Sequence, residues 1–124
     1  MPRTNVTVID DDPAAAASVT ALLEAFDFHA TSFDSAEAFL AAENARECAC
    51  LILDVQLSGM NGRELLKKLR AERNQLPVIL VSGYANARLT AELLAEGAVA
   101  VLEKPVDPEM LVAQVQQARR GKLG

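Results

Sequence analysis

Tryptophan is absent from this 124-residue chain, tyrosine occurs once and phenylalanine four times. With aromatics at 4% against hydrophobic residues at 51%, any core must be packed by aliphatic side chains and alanine. Cysteine is as scarce. Cys48 and Cys50 flank Ala49, and the lone His29 is too far along the chain to help complete a four-ligand zinc site. On a strand the two thiols would share a face, but two buried thiols in a reducing compartment are the better reading. His29 has no evident catalytic companion and reads as structural. Positive charge is also short, since 12 Lys and Arg face 17 Asp and Glu, a formal net charge of −5. That balance excludes direct nucleic-acid binding, which needs a basic face, and suits a protein that recruits cations or basic partner surfaces. No apolar run approaches the ~18 residues of a membrane span, and no apolar signal core precedes the first strand-like segment. The expectation is a cytoplasmic chain without membrane attachment, folded as one domain over residues 1–124.

What the sequence does contain is alternation. Short β-rich runs recur at Val6–Ile9, Ala30–Phe33, Cys50–Leu53, Val78–Val81 and Val99–Leu102. Several are continuously apolar, as parallel strands covered on both faces should be. Between them apolar residues return at helical spacing: Ala15, Val19, Leu22, Leu23 and Phe26; Ala36, Phe39 and Leu40; Leu65, Leu66 and Leu69; Leu89, Leu93 and Leu94; Leu111, Val115 and Ala118. Asp12-Pro13 and Asp107-Pro108 pair an N-cap acceptor with proline at the first helical position. Asp34 with Glu37, and Asn61 with Glu64, have the spacing of capping boxes. Gly97 after Glu96 is a helix stop, and Arg119, Arg120 and Lys122 complement a helix carboxyl end. Five βα units of this size predict a doubly wound α/β fold: a five-stranded parallel sheet between two layers of helices, joined by right-handed crossovers.

Ligands of such sheets bind beyond the carboxyl ends of the strands, so the residues just past each run carry the chemistry. They are Asp10-Asp11-Asp12, then Asp54, then Ser82-Gly83, then Glu103-Lys104-Pro105. Asp12, followed by proline, is read as the cap. Asp10, Asp11 and Asp54 gathered at one rim would repel one another without a counterion. Hard oxygen donors at that density suit Mg²⁺, and a neutralised cluster leaves one carboxylate able to act as a nucleophile toward phosphorus. Lys104 supplies an ammonium for a phosphate oxygen and Ser82 a hydroxyl, which is the positioning that phosphoryl transfer requires.

Four motifs in order, Val8-Ile9-Asp10-Asp11-Asp12, Leu53-Asp54 through Asn61-Gly62, Val81-Ser82-Gly83 and Glu103-Lys104-Pro105, make the chain similar to the receiver domains of two-component response regulators over almost its whole length. The resemblance implies the flavodoxin-like strand order 2-1-3-4-5. It implies Asp54 as phospho-acceptor, attacking the phosphohistidine of a sensor histidine kinase or phosphotransfer protein. It implies Mg²⁺ held by Asp10, Asp11, Asp54 and the backbone carbonyl of Gln56, with Ser82 and Lys104 on the phosphoryl group and a cis Lys104-Pro105 bond. Such a chain is a phospho-acceptor switch and not an enzyme. It signals to a downstream output domain or protein through a face built from the fourth helix, fifth strand and fifth helix, and homodimerisation on phosphorylation stays open.

The chain departs from that pattern at several places. Ser58 stands where relatives carry proline, which predicts a less rigid loop after Asp54. Val101 replaces the usual switch aromatic, and Val106 replaces a common phenylalanine. Tyr84 and Gln56 are placed to shield an acyl phosphate from water. Three other readings compete. A pseudo-receiver that only binds proteins gains support from Val101 but not from the retained acids. A flavin or nucleotide carrier would need a Gly/Ser-rich phosphate loop where the chain has aspartates. A Mg²⁺-dependent phosphohydrolase would want an acid where Gln56 stands.

Overall fold

The computed structural model describes residues 3–123, with side chains through residue 120. Strands and helices alternate as β1 (Asn5–Ile9), α1 (Pro13–Ala25), β2 (His29–Phe33), α2 (Ala36–Ala41), β3 (Cys50–Asp54), α3 (Gly62–Ala71), β4 (Val78–Ser82), α4 (Ala87–Ala95), β5 (Ala100–Glu103) and α5 (Pro108–Leu123), with one 3₁₀ turn at Ala45–Glu47. The five strands form one parallel sheet in the order β2-β1-β3-β4-β5.

Because side chains alternate across a strand, the sheet divides its own apolar residues between two cores. Leu51, Leu53, Val78 and Leu80 join Phe39 of α2, Leu65, Leu66 and Leu69 of α3 and Leu93 of α4. Val6, Val8, Ile52, Ile79, Val81 and Leu102 face the other way, against Leu23 of α1 and Leu111 and Val115 of α5. All residues of β3 and β4 are buried. Each fully buried Leu, Ile or Val contributes about 1.5–3 kcal/mol from water exclusion, so aliphatic burial suffices without tryptophan. β2 is an edge strand and largely exposed.

Several expectations need correction. Asp34 does not cap α2. Ser35 does, accepting the Ala38 N–H at 3.0 Å, and Glu37 reaches away to the loop after β3. Both cysteines are buried, as the sequence suggested, but they do not share a face: Cys50 opens β3 and packs toward α1 and α5, whereas Cys48 precedes the strand and packs in the opposite core. Val99 lies just outside β5 and is exposed, as are Phe26 and Leu94. His29 opens β2 as an exposed residue. Ala15, Val19 and Leu22 are only half covered. They line an open groove of about 620 Å³ shared with Val106 and Leu111, which leads to Asp54.

The remaining caps form as their chemistry requires. Asp12 accepts the Ala14 N–H at 3.0 Å and Asp107 the Glu109 N–H at 2.9 Å. Asn61 and Glu64 complete a capping box, and Gly97 ends α4 at φ +112°. Asn86 caps α4 through the Leu89 N–H.

On the helical layer opposite α1 and α5, Arg63 of α3 forks onto Glu96, with Nε at 2.8 and 3.1 Å from the two carboxylate oxygens, and its Nη2 also reaches Glu92. The Arg63 hydrogen bond holds the Glu96 carboxyl below the ordinary glutamate range, against partial desolvation. A carboxylate with a lowered folded pKa contributes stability above its unfolded value and loses it as pH falls through the folded one. Urea unfolding between neutral and acid pH should therefore show wild-type stability dropping below the ordinary glutamate range more steeply than Glu96→Gln. Equal slopes would show the pair to be inert.

Candidate functional site

Parallel strands deliver all their carboxyl ends to one rim. There the strand alternation sorts the site residues before any loop is considered. Asp10 follows Val6 and Val8, Asp54 follows Cys50 and Ile52, and Lys104 follows Ala100 and Leu102, all on the α1 and α5 side. Asp10 and Asp54 are buried, at 8% and 6% exposure, and Asp11 is exposed in the β1–α1 loop. One oxygen from each of the three carboxylates lies within 4.8 Å of the others. The Lys104 ammonium donates to Asp54 Oδ2 at 2.8 Å and to Asp10 Oδ2 at 3.2 Å.

Backbone donors fix the other oxygens. The Asp12 N–H donates to Asp10 Oδ1 at 2.9 Å, and the Gln56 N–H to Asp54 Oδ1 at 2.9 Å. The N–H and hydroxyl of Ser58 reach Asp11 Oδ2 at 3.3 and 3.5 Å. Behind Asp54, α3 begins at Gly62 because nothing larger fits: a Cβ there would lie 2.8 Å from Val55 Cα and closer still to the Asp54 carbonyl oxygen. The loop from Asp54 to α3 is closed by the Gly62 N–H on Val55 O, 3.0 Å.

Two carboxylates 4.8 Å apart repel by about 3–4 kcal/mol at an effective dielectric near 20. One ammonium cannot offset three such charges. Partial burial works against the charge on Lys104, but the hydrogen bonds and fields of Asp54 and Asp10 outweigh it and raise the lysine above its ordinary value. What remains is an excess of negative charge on hard oxygen donors, one of them solvent-exposed, which is the donor set that Mg²⁺ prefers.

Ser82 ends β4 at 1% exposure, and its Oγ accepts the Tyr84 N–H at 3.0 Å. Its carbonyl accepts the Lys104 N–H at 2.9 Å, so β4 holds the backbone that carries the lysine. Gln56 meets Asp54 through its N–H and keeps an exposed side chain. The Lys104-Pro105 bond is cis. Tyr84 is 74% exposed and so does not close over the rim in this arrangement. Val101 is half-buried against the core that contains Leu80 and Leu93. Sequence reasoning missed the Ser58 contact. A residue other than proline has an N–H to donate, but the sequence does not show that its acceptor lies 47 residues away, on Asp11.

Replacing Lys104 with methionine leaves Asp10 and Asp54 facing one another. The loss should fall between the ~1 kcal/mol of an exposed pair and the ~3 kcal/mol of a buried one, because Lys104 is about one-third exposed. Thermal unfolding of Lys104→Met with and without Mg²⁺ should show a larger cation-dependent rise than wild type. Identical rises would mean that the lysine and the cation do not compete for these oxygens.

The family model of the response regulator receiver domain matches residues 6–116. Among curated proteins, the chain is 37% identical over 116 residues to the transcriptional regulatory protein FixJ of Bradyrhizobium diazoefficiens, covering 94% of this chain and 57% of that protein. It is 30% identical to the response regulator protein TodT of Pseudomonas putida, covering 91% and 50%. The chain thus spans about half the length of the curated relatives it matches. A solved receiver domain protein from Methanospirillum hungatei superposes with a TM-score of 0.85 at 28% identity, covering 98% of this chain and 99% of that one. The motifs, the strand order and these matches agree: the chain belongs to the receiver-domain family of two-component response regulators, whose members are switched by phosphorylation of an aspartate.

Proposed function

We propose that residues 1–124 act as one receiver module in which Asp54 is the phospho-acceptor, Asp10 and Asp11 are its acidic neighbours, and Lys104 and Ser82 attend the transferred group. One observation carries the reading. Asp54 sits at the end of β3 with one oxygen held by the Gln56 N–H and the other by Lys104, beside two further carboxylates. A buried carboxylate oriented from both sides is pre-positioned as a nucleophile. An Asp54 oxygen bonds to phosphorus as the N–P bond of a phosphohistidine breaks. The electron pair stays on the imidazole nitrogen, which takes a proton from solvent. Lys104 then turns from the acceptor carboxylate to a phosphoryl oxygen, and the Ser82 hydroxyl can donate to another. Asp10, Asp11, Asp54 and the Gln56 carbonyl are the groups that would hold Mg²⁺, which when bound offsets the charge of the phosphoryl oxygens.

The donor is a sensor histidine kinase or phosphotransfer protein. The half-exposed apolar groove between α1 and the β5–α5 segment opens beside Asp54, which suits docking of the element that carries its histidine. The chain promotes its own phosphorylation and dephosphorylation, and does not turn over a separate substrate. The exposed Leu94, Val99 and Met110 on α4, before β5 and on α5 offer apolar surface to an output domain, a partner protein or a second copy of the chain. Relatives about twice as long support an output unit as the receiver of the signal. A cytoplasmic site of action goes with this reading, and no helix among the described residues is long and apolar enough to cross a membrane.

Incubation with acetyl phosphate and Mg²⁺ should add the mass of one phosphoryl group to the wild-type chain and none to Asp54→Asn. Labelling of the asparagine variant, or no labelling of wild type, would remove the proposal and favour a module that only binds proteins. Tyr84, although exposed, follows Ser82 closely enough to swing over an acyl phosphate. Tyr84→Ala should therefore shorten the phosphoryl half-life several-fold, and an unchanged decay rate rejects the shield.

A further inference from the structure

Glu37 has the spacing of a capping-box partner, yet Ser35 caps α2 and the Glu37 carboxylate is spent elsewhere. Its Oε2 accepts the Met60 N–H at 2.8 Å, across the gap between α2 and the loop that follows Asp54. Gly59, the residue before, adopts φ +73°, and a Cβ there would lie 2.6 Å from the same oxygen. Glycine at this position thus serves two ends: it permits the left-handed backbone and leaves room for the carboxylate. The Met60 N–H also holds the Glu37 carboxyl below the ordinary glutamate range.

Seen along the loop, the contact is the last of a series. The N–H groups of Gln56, Ser58 and Met60, at alternate positions, each donate to a carboxylate from a different element: Asp54 of β3, Asp11 of the β1–α1 loop and Glu37 of α2. Leu57 is buried between the first two donors. The far end of the loop, where the backbone turns through Gly59 toward α3, has Glu37 as its side-chain acceptor. Glu37 lies outside the cluster of Asp10, Asp11 and Asp54.

We propose that Glu37 is a positioning residue for the acidic site, tying the loop at Met60 so that Ser58 and the Gln56 carbonyl are held toward Asp11 and Asp54. The inference rests on the reading of the acidic cluster as a Mg²⁺ site. With the tie removed, Met60 loses its acceptor, the turn at Gly59 opens to other conformations, and the ordering of the loop must come from the binding event itself. Partners that orient metal ligands from outside typically change affinity by 10–100-fold when lost. An exposed tie acting through the backbone should sit at the low end, about tenfold.

The test is Mg²⁺ titration of the chain by calorimetry and by the fluorescence of Tyr84, which is the sole tyrosine in a sequence without tryptophan. Glu37→Ala should bind Mg²⁺ several-fold to tenfold more weakly, while Glu37→Gln, which keeps an acceptor oxygen for Met60, should stay within about twofold of wild type. Gly59→Ala, which crowds the same oxygen, should reproduce the loss. Melting temperatures are read on the same samples. Mg²⁺ affinity of Glu37→Ala within twofold of wild type overturns the proposal, whatever its melting temperature. Equal weakening in Glu37→Ala and Glu37→Gln also overturns it, because the effect would then be one of charge. A wild-type chain that takes up no Mg²⁺ sinks the site reading as well, so the two failures are told apart by the wild-type titration.

Discussion

Mutual repulsion among Asp10, Asp11 and Asp54 is the constraint around which the molecule is arranged. Left alone, three carboxylates this close would spread apart. The fold prevents spreading by placing two of them at the ends of adjacent central strands, β1 and β3, whose registers are locked by burial on both faces. Lys104 arrives from the edge strand β5, on backbone held by Ser82. The negative charge left unbalanced in the site means that an added cation would change the balance among these groups. A site with its charges fully satisfied would have little reason to change state.

Much of this was legible in the residues, and for identifiable reasons. Strand positions followed from short β-rich runs, several of them continuously apolar as strands covered on both faces should be. The chemistry at their ends followed from topology, because carboxyl ends of parallel strands converge. The errors had a common origin. Asp34 was preferred to Ser35 as the cap because both are good acceptors one residue apart, and spacing to Glu37 does not reveal that the acid serves another element. Helical spacing groups Phe26 and Leu94 with covered residues and the last apolar run includes Val99, but neither pattern tells a face covered by its neighbours from one left facing water. In each case a local rule was decided by a tertiary contact.

The departures from the family pattern read differently with the geometry in view. Ser58 in place of proline predicts a looser loop, yet its N–H adds a contact to Asp11 that proline could not make. Rigidity of the backbone is exchanged for a bond to the site. Val101 is already packed against the core, and a small β-branched side chain there has no buried and exposed alternatives of the aromatic kind. Beyond that core, α4 is tied to α3 through Arg63.

The alternation of faces along β1, β3 and β5 has a consequence for how this sequence can change over time. Asp10, Asp54 and Lys104 stand on one side only because each lies an even number of residues beyond the strand positions that fill the same core. Gaining or losing a single residue inside β1, β3 or β5 would carry that side chain through the sheet to the opposite layer. An insertion inside one of these strands is therefore costlier than one in a loop on the amino-terminal rim or at a helix end, whereas a change of composition that keeps the count leaves the alternation in place.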